Sequence, residues 1–217
     1  MPHPTTADFK AILLRRSLDE VVREFIFEGM PYVFRDHPNR LEILRRHLCD
    51  AMPVSWQNVI VVGSGKIGFS LNHDTFFRQF SEESDIDIVV IDDSLFDKVW
   101  KTLLAWHYPR KGTDLGGVDG AWARERRKDL YWGCFMPHEI KFEGLSFPSV
   151  LKPLRDISTT WFNAFQSLSL YEEFASRVVS GRLYRSWDHA LLYHMEGLRQ
   201  IREVIRLPNQ ESNQHEF

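Results

Sequence analysis

The sequence predicts an α+β protein, in which a small mixed β-sheet core is flanked by N-terminal helices and by a C-terminal helical region. Apolar residues recur at helical spacing in both end regions of the chain. Two short runs rich in β-branched residues, at 58–62 and 85–92, lie between those regions and indicate buried strands. We therefore predict three parts: a helical segment at 1–52, the sheet core at 53–150 and a helical region at 151–217.

The composition is that of an ordinary globular protein. The chain has 217 residues, of which 43% are hydrophobic and 26% charged, enough to form one sizeable core. It contains no apolar run of bilayer-spanning length, and its first ten residues lack the pattern of a secretory signal. Cys49 and Cys134 lie far apart without metal-ligand spacing, which indicates free thiols in a reducing cytosol. We therefore expect a cytoplasmic protein with no membrane partner.

The N-terminal segment carries clear helix boundaries. Ser17 and Glu20 have the spacing of a capping box and precede an apolar helix face. Pro38 favours the first turn of a second helix, and Pro53 ends it. These signals predict two helices before the first strand.

The middle of the chain alternates between helix, loop and strand signals. Residues 95–106 have the apolar periodicity of an amphipathic helix. The stretch 111–120 holds four glycines and predicts a loop. The segments DLYWGCF at 129–135 and HEIKFE at 138–143 are interpreted as further strands.

The C-terminal region has the apolar periodicity of helices from about residue 156. Tyr171, Phe174 and Val178 continue this pattern, and Gly181 is predicted to end that helix. A last long helix is expected to follow Gly181.

The stretch VIVVGSGKIG at 59–68 leads from an apolar strand into a glycine-rich turn typical of phosphate binding. It is not a P-loop, because Gly68 is followed by phenylalanine rather than by lysine. Gly63, Gly65 and Gly68 match the dinucleotide pattern G-x-G-x-x-G in spacing. A dinucleotide-binding fold has a single acid at the end of its second strand, whereas this chain has two acids inside its predicted second strand.

The two acids are Asp85 and Asp87. Residues i and i+2 of a strand point to the same side, so both carboxylates are expected on one face while Ile86 and Ile88 enter the core. Adjacent carboxylates repel one another, and Mg²⁺ or Mn²⁺ would relieve the repulsion. With backbone N–H groups of the glycine turn facing phosphate oxygens, the parts predict a site for a metal–NTP complex. The alternative is that both acids simply begin a surface strand.

VIVVGSG followed by SDIDIVVID resembles the motif of the nucleotidyltransferase superfamily, which has a DNA-polymerase-β-like fold. The resemblance implies transfer of a nucleotidyl group from an NTP with the help of Mg²⁺ ions. It further implies that Gly63 and Ser64 hold the triphosphate and that Asp85 and Asp87 bind the metal. The resemblance covers about residues 58–92. Because bacterial members of the family often act in such systems, it also implies a role in toxin–antitoxin or antiviral defence.

The chain departs from the family pattern in two ways. Residues 65–84 form a longer gap than usual before the acidic pair, and this insertion is interpreted as a lid or a specificity loop. The family also has a third, catalytic carboxylate on a strand beside the pair. Asp129 is the first candidate for that role, with Glu139 and Glu143 as alternatives. Without a third acid, the alternative is a fold that binds a nucleotide without catalysing transfer.

Three other features have two interpretations each. Lys66 either contacts a phosphate or is a solvated lysine of the first helical turn. The basic run RERRK at 124–128 is interpreted either as a binding surface for a triphosphate or an RNA acceptor, or as a solvated helix end. The net charge of −3 gives the whole protein no attraction to nucleic acid. Trp132 either stacks on a base or, as we expect, packs in the core.

The sequence therefore predicts an Mg²⁺-dependent nucleotidyltransferase whose acceptor is a protein, an RNA or another nucleotide. The alternative is a catalytically inactive module of the same fold that senses a nucleotide or binds a partner protein. A dinucleotide-dependent oxidoreductase is disfavoured by the short sheet and by the acidic pair. The oligomeric state is left open.

Overall fold

A computed structural model describes residues 3–110, 115–146, 149–174 and 177–211. Within these ranges, the protein consists of α-helices packed on both faces of a small mixed sheet. The strands are β1 Val59–Val62, β2 Ile86–Ile91, β3 Cys134–Phe135 and β4 Val179–Tyr184. The helices are α1 Thr6–Arg15, α2 Leu18–Val21, α3 Asn39–Ala51, α4 Gly63–Ile67, α5 Asp93–His107, α6 Gly117–Trp132, α7 Lys152–Leu168 and α8 Trp187–Glu211. None of the helices in the described ranges is long and apolar enough to cross a membrane.

The strand order is β1-β2-β4-β3. Strand β2 pairs antiparallel with β1 and parallel with β4, and β3 pairs antiparallel with β4. The sheet is therefore mixed, as predicted, and β2 lies at its centre between β1 and β4.

The two faces of the sheet belong to two separate apolar clusters. One cluster joins Ile86 and Ile88 of β2 to apolar residues of α3, α5 and α7. The other joins Val89 and Ile91 of β2 to α1, α2 and α8. Because successive residues of a strand point to opposite faces, β2 contributes to both clusters and is buried for most of its length.

Several predicted elements are confirmed. Ser17 and Glu20 form the capping box of α2, with both reciprocal hydrogen bonds present. Helix α3 begins directly after Pro38 and ends two residues before Pro53. The two predicted strands and the helix expected at 95–106 lie within a few residues of their predicted bounds.

The strand predicted at 129–135 is wrong for its first four residues, which complete helix α6. The helix continues because Trp122, Ala123 and Leu130 pack on one apolar side of it. It ends at Gly133, which adopts a left-handed φ of 60°. The loop predicted at 111–120 is also wrong from Gly117 onwards, and residues 111–114 lie outside the described part of the chain.

Two further predictions in this part of the chain are wrong. The segment 138–143 forms the end of a 3₁₀ turn and a loop rather than a strand. Gly181 does not end a helix but lies inside β4, which is placed between β2 and β3. A Cβ at Gly181 would lie 2.2 Å from Cζ of Phe165, so this glycine allows α7 to pack closely on the strand. The division into three parts stays a prediction, although the C-terminal part contributes a strand to the sheet.

Candidate functional site

The candidate site forms where β1 ends beside the beginning of β2. Val62, the last residue of β1, lies opposite Asp87 in the ladder. The chain then turns at Gly63, which has a left-handed φ of 64°. A Cβ on Gly63 would lie only 2.7 Å from Oδ2 of Asp87. The first glycine of the turn is therefore needed both for its backbone conformation and for the close approach of a carboxylate.

Asp85 and Asp87 are both exposed, while Ser84, Ile86 and Ile88 are buried. This alternation confirms that the two carboxylates share one side of the chain while the isoleucines enter the core. Asp85 itself lies one residue before β2 begins.

The surroundings of Asp87 disfavour its charged form. The pKa of Asp87 is raised chiefly because neighbouring protein atoms shield its carboxylate from water, and further because Asp85 repels its charge. Two contacts act in the opposite direction: Ser180 donates a hydrogen bond of 3.2 Å to Oδ1, and Arg182 attracts the charge. A cation at this carboxylate would stabilise the ionised form.

Helix α4 begins at the glycine turn with uncapped backbone donors. Its N-cap residue, Val62, has no side chain that can accept a hydrogen bond. Ser64 is half-buried, and within the described part of the chain its hydroxyl makes no hydrogen bond. The turn therefore offers backbone N–H groups and one hydroxyl beside Asp87.

Lys66 has neither of its predicted roles. Its side chain is 3% exposed, and Nζ donates to the backbone oxygens of Glu28 and Gly29 over 2.5 and 2.7 Å. Burial is the main reason that the pKa of this ammonium falls to about 8. Lys66 therefore joins α4 to the segment that follows α2, and its ammonium group is engaged by two backbone oxygens.

The predicted insertion is folded onto the protein. Phe69 is buried and forms a β-bridge with Gln79. The end of the insertion is held by Arg177, whose guanidinium donates to the backbone oxygens of Ser81, Glu82 and Ser84. Arg177 lies two residues before β4 begins, so it ties the loop that leads into the acidic pair to the start of that strand.

The third carboxylate is not where the sequence analysis expected it. Asp129 lies on helix α6 rather than on a strand, and it forms an ion pair of 3.0 Å with Arg126. Glu139 ends a 3₁₀ turn and Glu143 lies in a turn, so neither is on a strand beside β2. Among the residues described, no three His, Cys, Asp or Glu side chains are close enough together to hold a metal ion.

Strand β4 instead places a hydroxyl and a cation beside β2. Ser180 is the ladder partner of Asp87, and Arg182 points to the same face two residues further along. The guanidinium of Arg182 lies 4.7 Å from the ring centroid of Tyr193, and its Nη2 is 3.6 Å from Sδ of Met136. No carboxylate within the described ranges forms a salt bridge with Arg182. Sequence reasoning missed both β4 residues because it took Gly181 as the end of a helix and predicted no strand in this segment.

A separate cavity of about 310 Å³ opens beside the loop that precedes the acidic pair. Its lining includes Tyr32, Arg35, Phe80 and Arg177. Neither Gly63 nor Asp87 lines this cavity, so it is distinct from the site at the end of β1.

The chain matches no protein-family model, and no curated protein or solved structure matches it significantly. The functional argument therefore rests on the geometry and chemistry of the site alone.

Proposed function

We propose that the protein is a nucleotidyltransferase of the polymerase-β-like type that binds an NTP together with Mg²⁺ or Mn²⁺. The observation that carries the proposal is the contact between the glycine turn and the second acid. Gly63 lies so close to Asp87 that a phosphate bound at the turn would be next to the carboxylate pair. A phosphate and two carboxylates can share that space only if a cation neutralises them.

The donor set suits a magnesium ion that arrives with its nucleotide. Mg²⁺ is commonly bound by one or two carboxylates plus phosphate oxygens and waters, rather than by a complete cage of protein ligands. Asp85 and Asp87 supply the two carboxylates, and no third protein ligand is required for this mode. The bound ion would neutralise charge that develops on the phosphates during transfer.

In this proposal each residue of the site has a defined task. The N–H groups at Gly63 and Ser64 donate to phosphate oxygens, and the absence of a side chain at Gly63 leaves room for Asp87. Ser180 orients the Asp87 carboxylate through its hydrogen bond. The acceptor of the nucleotidyl group is a protein, an RNA or another nucleotide. We do not propose a two-metal mechanism, because β4 carries Ser180 where a third carboxylate was expected.

That same observation favours a second candidate function. With Ser180 beside Asp87, the site keeps the parts proposed to bind a metal–NTP complex, but among the described residues no additional acid stands beside them to activate an acceptor hydroxyl. The second candidate is therefore a catalytically inactive module that senses a nucleotide or binds a partner protein in response to it.

Calorimetric titration with each common NTP, with and without Mg²⁺ or Mn²⁺, tests the shared part of both proposals. We expect metal-dependent binding that is lost when Asp85 and Asp87 are both replaced by asparagine. The matched control replaces Glu82 and Glu83 by glutamine, which removes the same charge from two exposed residues just upstream. Equal loss of binding in both double variants, or no binding to any NTP, would refute the site.

Release of pyrophosphate separates the two candidates. If the protein binds NTP and releases pyrophosphate in the presence of nucleotide, RNA or protein acceptors, the transferase is supported. If it binds NTP tightly but releases none with any of them, the inactive module is the better description. The asparagine double variant should melt at the same temperature as the wild type or higher without metal, because it removes repulsion at Asp87.

A further inference from the structure

Helix α6 carries a stripe of exposed cations that ends in two exposed aromatic rings. We define the α6 stripe as Arg124, Arg127, Lys128, Tyr131 and Trp132. The spacing of three, four and seven residues places the first four side chains on one side of the helix, and Trp132 follows Lys128 by one turn. All five are exposed, with Tyr131 at 80% and Trp132 at 66%.

The rings of the α6 stripe are not part of the core. Tyr131 and Trp132 contact each other edge to face, with centroids 5.2 Å apart. The core side of α6 is formed by Trp122, Ala123 and Leu130. Core packing, which the sequence analysis expected for Trp132, is therefore wrong: neither ring belongs to the apolar clusters of the described residues.

The cations of the stripe form no ion pair within the described residues, and Nε of Arg127 donates a hydrogen bond of 3.3 Å to the backbone oxygen of Ala123. None of the salt bridges within the described ranges involves Arg124, Arg127 or Lys128. The acids of this helix segment pair instead with Arg126, which lies on the core side: Glu125 at 3.2 Å and Asp129 at 3.0 Å. A protein with a net charge of −3 thus keeps three positive charges together on one surface, outside the salt bridges of the described residues.

We propose that the α6 stripe binds single-stranded nucleic acid. Proteins bind single strands by combining cations that follow the phosphates with aromatic side chains on which bases stack. The stripe places both along one helix, at about 1.5 Å of rise per residue, and the tandem rings stand at its C-terminal end. This inference does not rest on the proposed NTP site, although a transferase with this surface would have a nucleic acid as its acceptor.

The test is fluorescence anisotropy with short labelled oligouridylate and oligothymidylate at several salt concentrations, using the full chain. With three cations engaged, log K should fall with log salt at a slope of about −2, since each phosphate contact contributes about −0.7. Replacing Arg127 and Lys128 by alanine should bring the slope close to −0.7. The control replaces the exposed Lys98 and Lys101 of α5 by alanine, which removes the same charge and should leave the slope unchanged.

Alanine at Trp132 should weaken binding by about fivefold to a hundredfold, because a stacked base is lost. The matched aromatic control is Tyr108→Ala, which removes a ring that is 62% exposed at the end of α5 and should not change affinity. Circular dichroism and melting should be unchanged in all these variants, since each altered side chain is exposed.

Binding to oligouridylate, oligothymidylate or both supports the proposal, a preference for one identifies the type of strand, and binding to neither overturns it. Binding to anionic phosphatidylserine vesicles but to neither oligonucleotide would overturn it in favour of a membrane surface. Binding that responds equally to the α5 and α6 variants would overturn it as unspecific attraction. NTP titration of the α6 variants should match the wild type, so failure at the stripe is distinguishable from failure at the NTP site.

Discussion

Replacing Gly63 by alanine should destabilise the protein by more than its backbone conformation alone requires. The left-handed φ of 64° costs an alanine about 1–2 kcal/mol. The new methyl group would in addition lie 2.7 Å from Oδ2 of Asp87, and such overpacking costs about 1–3 kcal/mol. Because the exposed carboxylate can rotate towards solvent, we expect the lower end of that range and a total of about 2–3 kcal/mol.

A double-mutant cycle separates the two contributions. Asp87→Ala removes the clashing oxygen and leaves a Cβ 3.7 Å away, which is an ordinary contact. In that background Gly63→Ala should cost only its conformational part, so the coupling between the two sites should be about 1 kcal/mol. Gly29 is the matched control, because it has a φ of 79° with nothing within 4 Å of an added Cβ. Gly29→Ala should cost about 1–2 kcal/mol and show no coupling to Asp87.

Urea denaturation of the single and double variants measures all of these free energies of unfolding. The reasoning would be refuted if Gly63→Ala cost no more than Gly29→Ala, or if its cost were the same with and without the Asp87 carboxylate. Either result would mean that the glycine turn and the acid are not in contact, and the proposed site would lose its central observation.

Two other positions give sharp expectations. The pKa of Lys66 is about 8 in the folded protein and about 10.4 in an unfolded chain. Between these pH values the unfolded state binds more protons than the folded state, so the free energy of unfolding should rise with pH. Urea titrations from pH 8 to 10 should show this rise in the wild type but not in Lys66→Met. Gly181→Ala should lower the free energy of unfolding by about 1–3 kcal/mol, because its Cβ would lie 2.2 Å from the Phe165 ring. Gly197→Ala on α8, which has open space around it, is the control and should be neutral or stabilising. A Gly181 variant as stable as the Gly197 variant would contradict the packing of Phe165 on β4.

The parts of the fold that sequence reasoning predicted well are those that depend on local signals. The capping box at Ser17, the helix after Pro38 and the alternation around Asp87 all follow from residues within a few positions of each other. Strand β4 was missed because its pairing with β2 is set by contacts across more than ninety residues of sequence. Gly181 is a glycine within that strand rather than a helix end, and its missing side chain leaves room for the ring of Phe165 on α7.

The roles of single side chains were less predictable than the elements that carry them. Lys66 follows a phosphate-type turn in sequence, but its ammonium group turns inward to two carbonyl groups that lie nearly forty residues earlier. Trp132 is a large apolar residue of a type usually found in cores, yet it lies on the exposed side of α6. The opposite side of that helix, which carries Trp122 and Leu130, packs on the core. Burial of a large side chain is decided by which face of its helix meets the protein, and that is tertiary information.

The position of Ser180 allows the missing carboxylate to be supplied by mutation. Ser180→Asp would place a third acid on the strand beside Asp87, where the two residues are ladder partners. Without metal this variant should be less stable than Ser180→Asn, because a further negative charge faces a carboxylate whose pKa is already raised. With Mg²⁺ the difference in stability between the two variants should narrow or reverse, because the aspartate gives the ion a further ligand. A tenfold gain in affinity would add about 1.4 kcal/mol of stability at saturating ion. Thermal melting of both variants across a Mg²⁺ titration measures this difference, with KCl at matched ionic strength as the control. If Mg²⁺ stabilises the aspartate variant no more than the asparagine variant, the face that carries Asp85 and Asp87 does not bind a divalent cation.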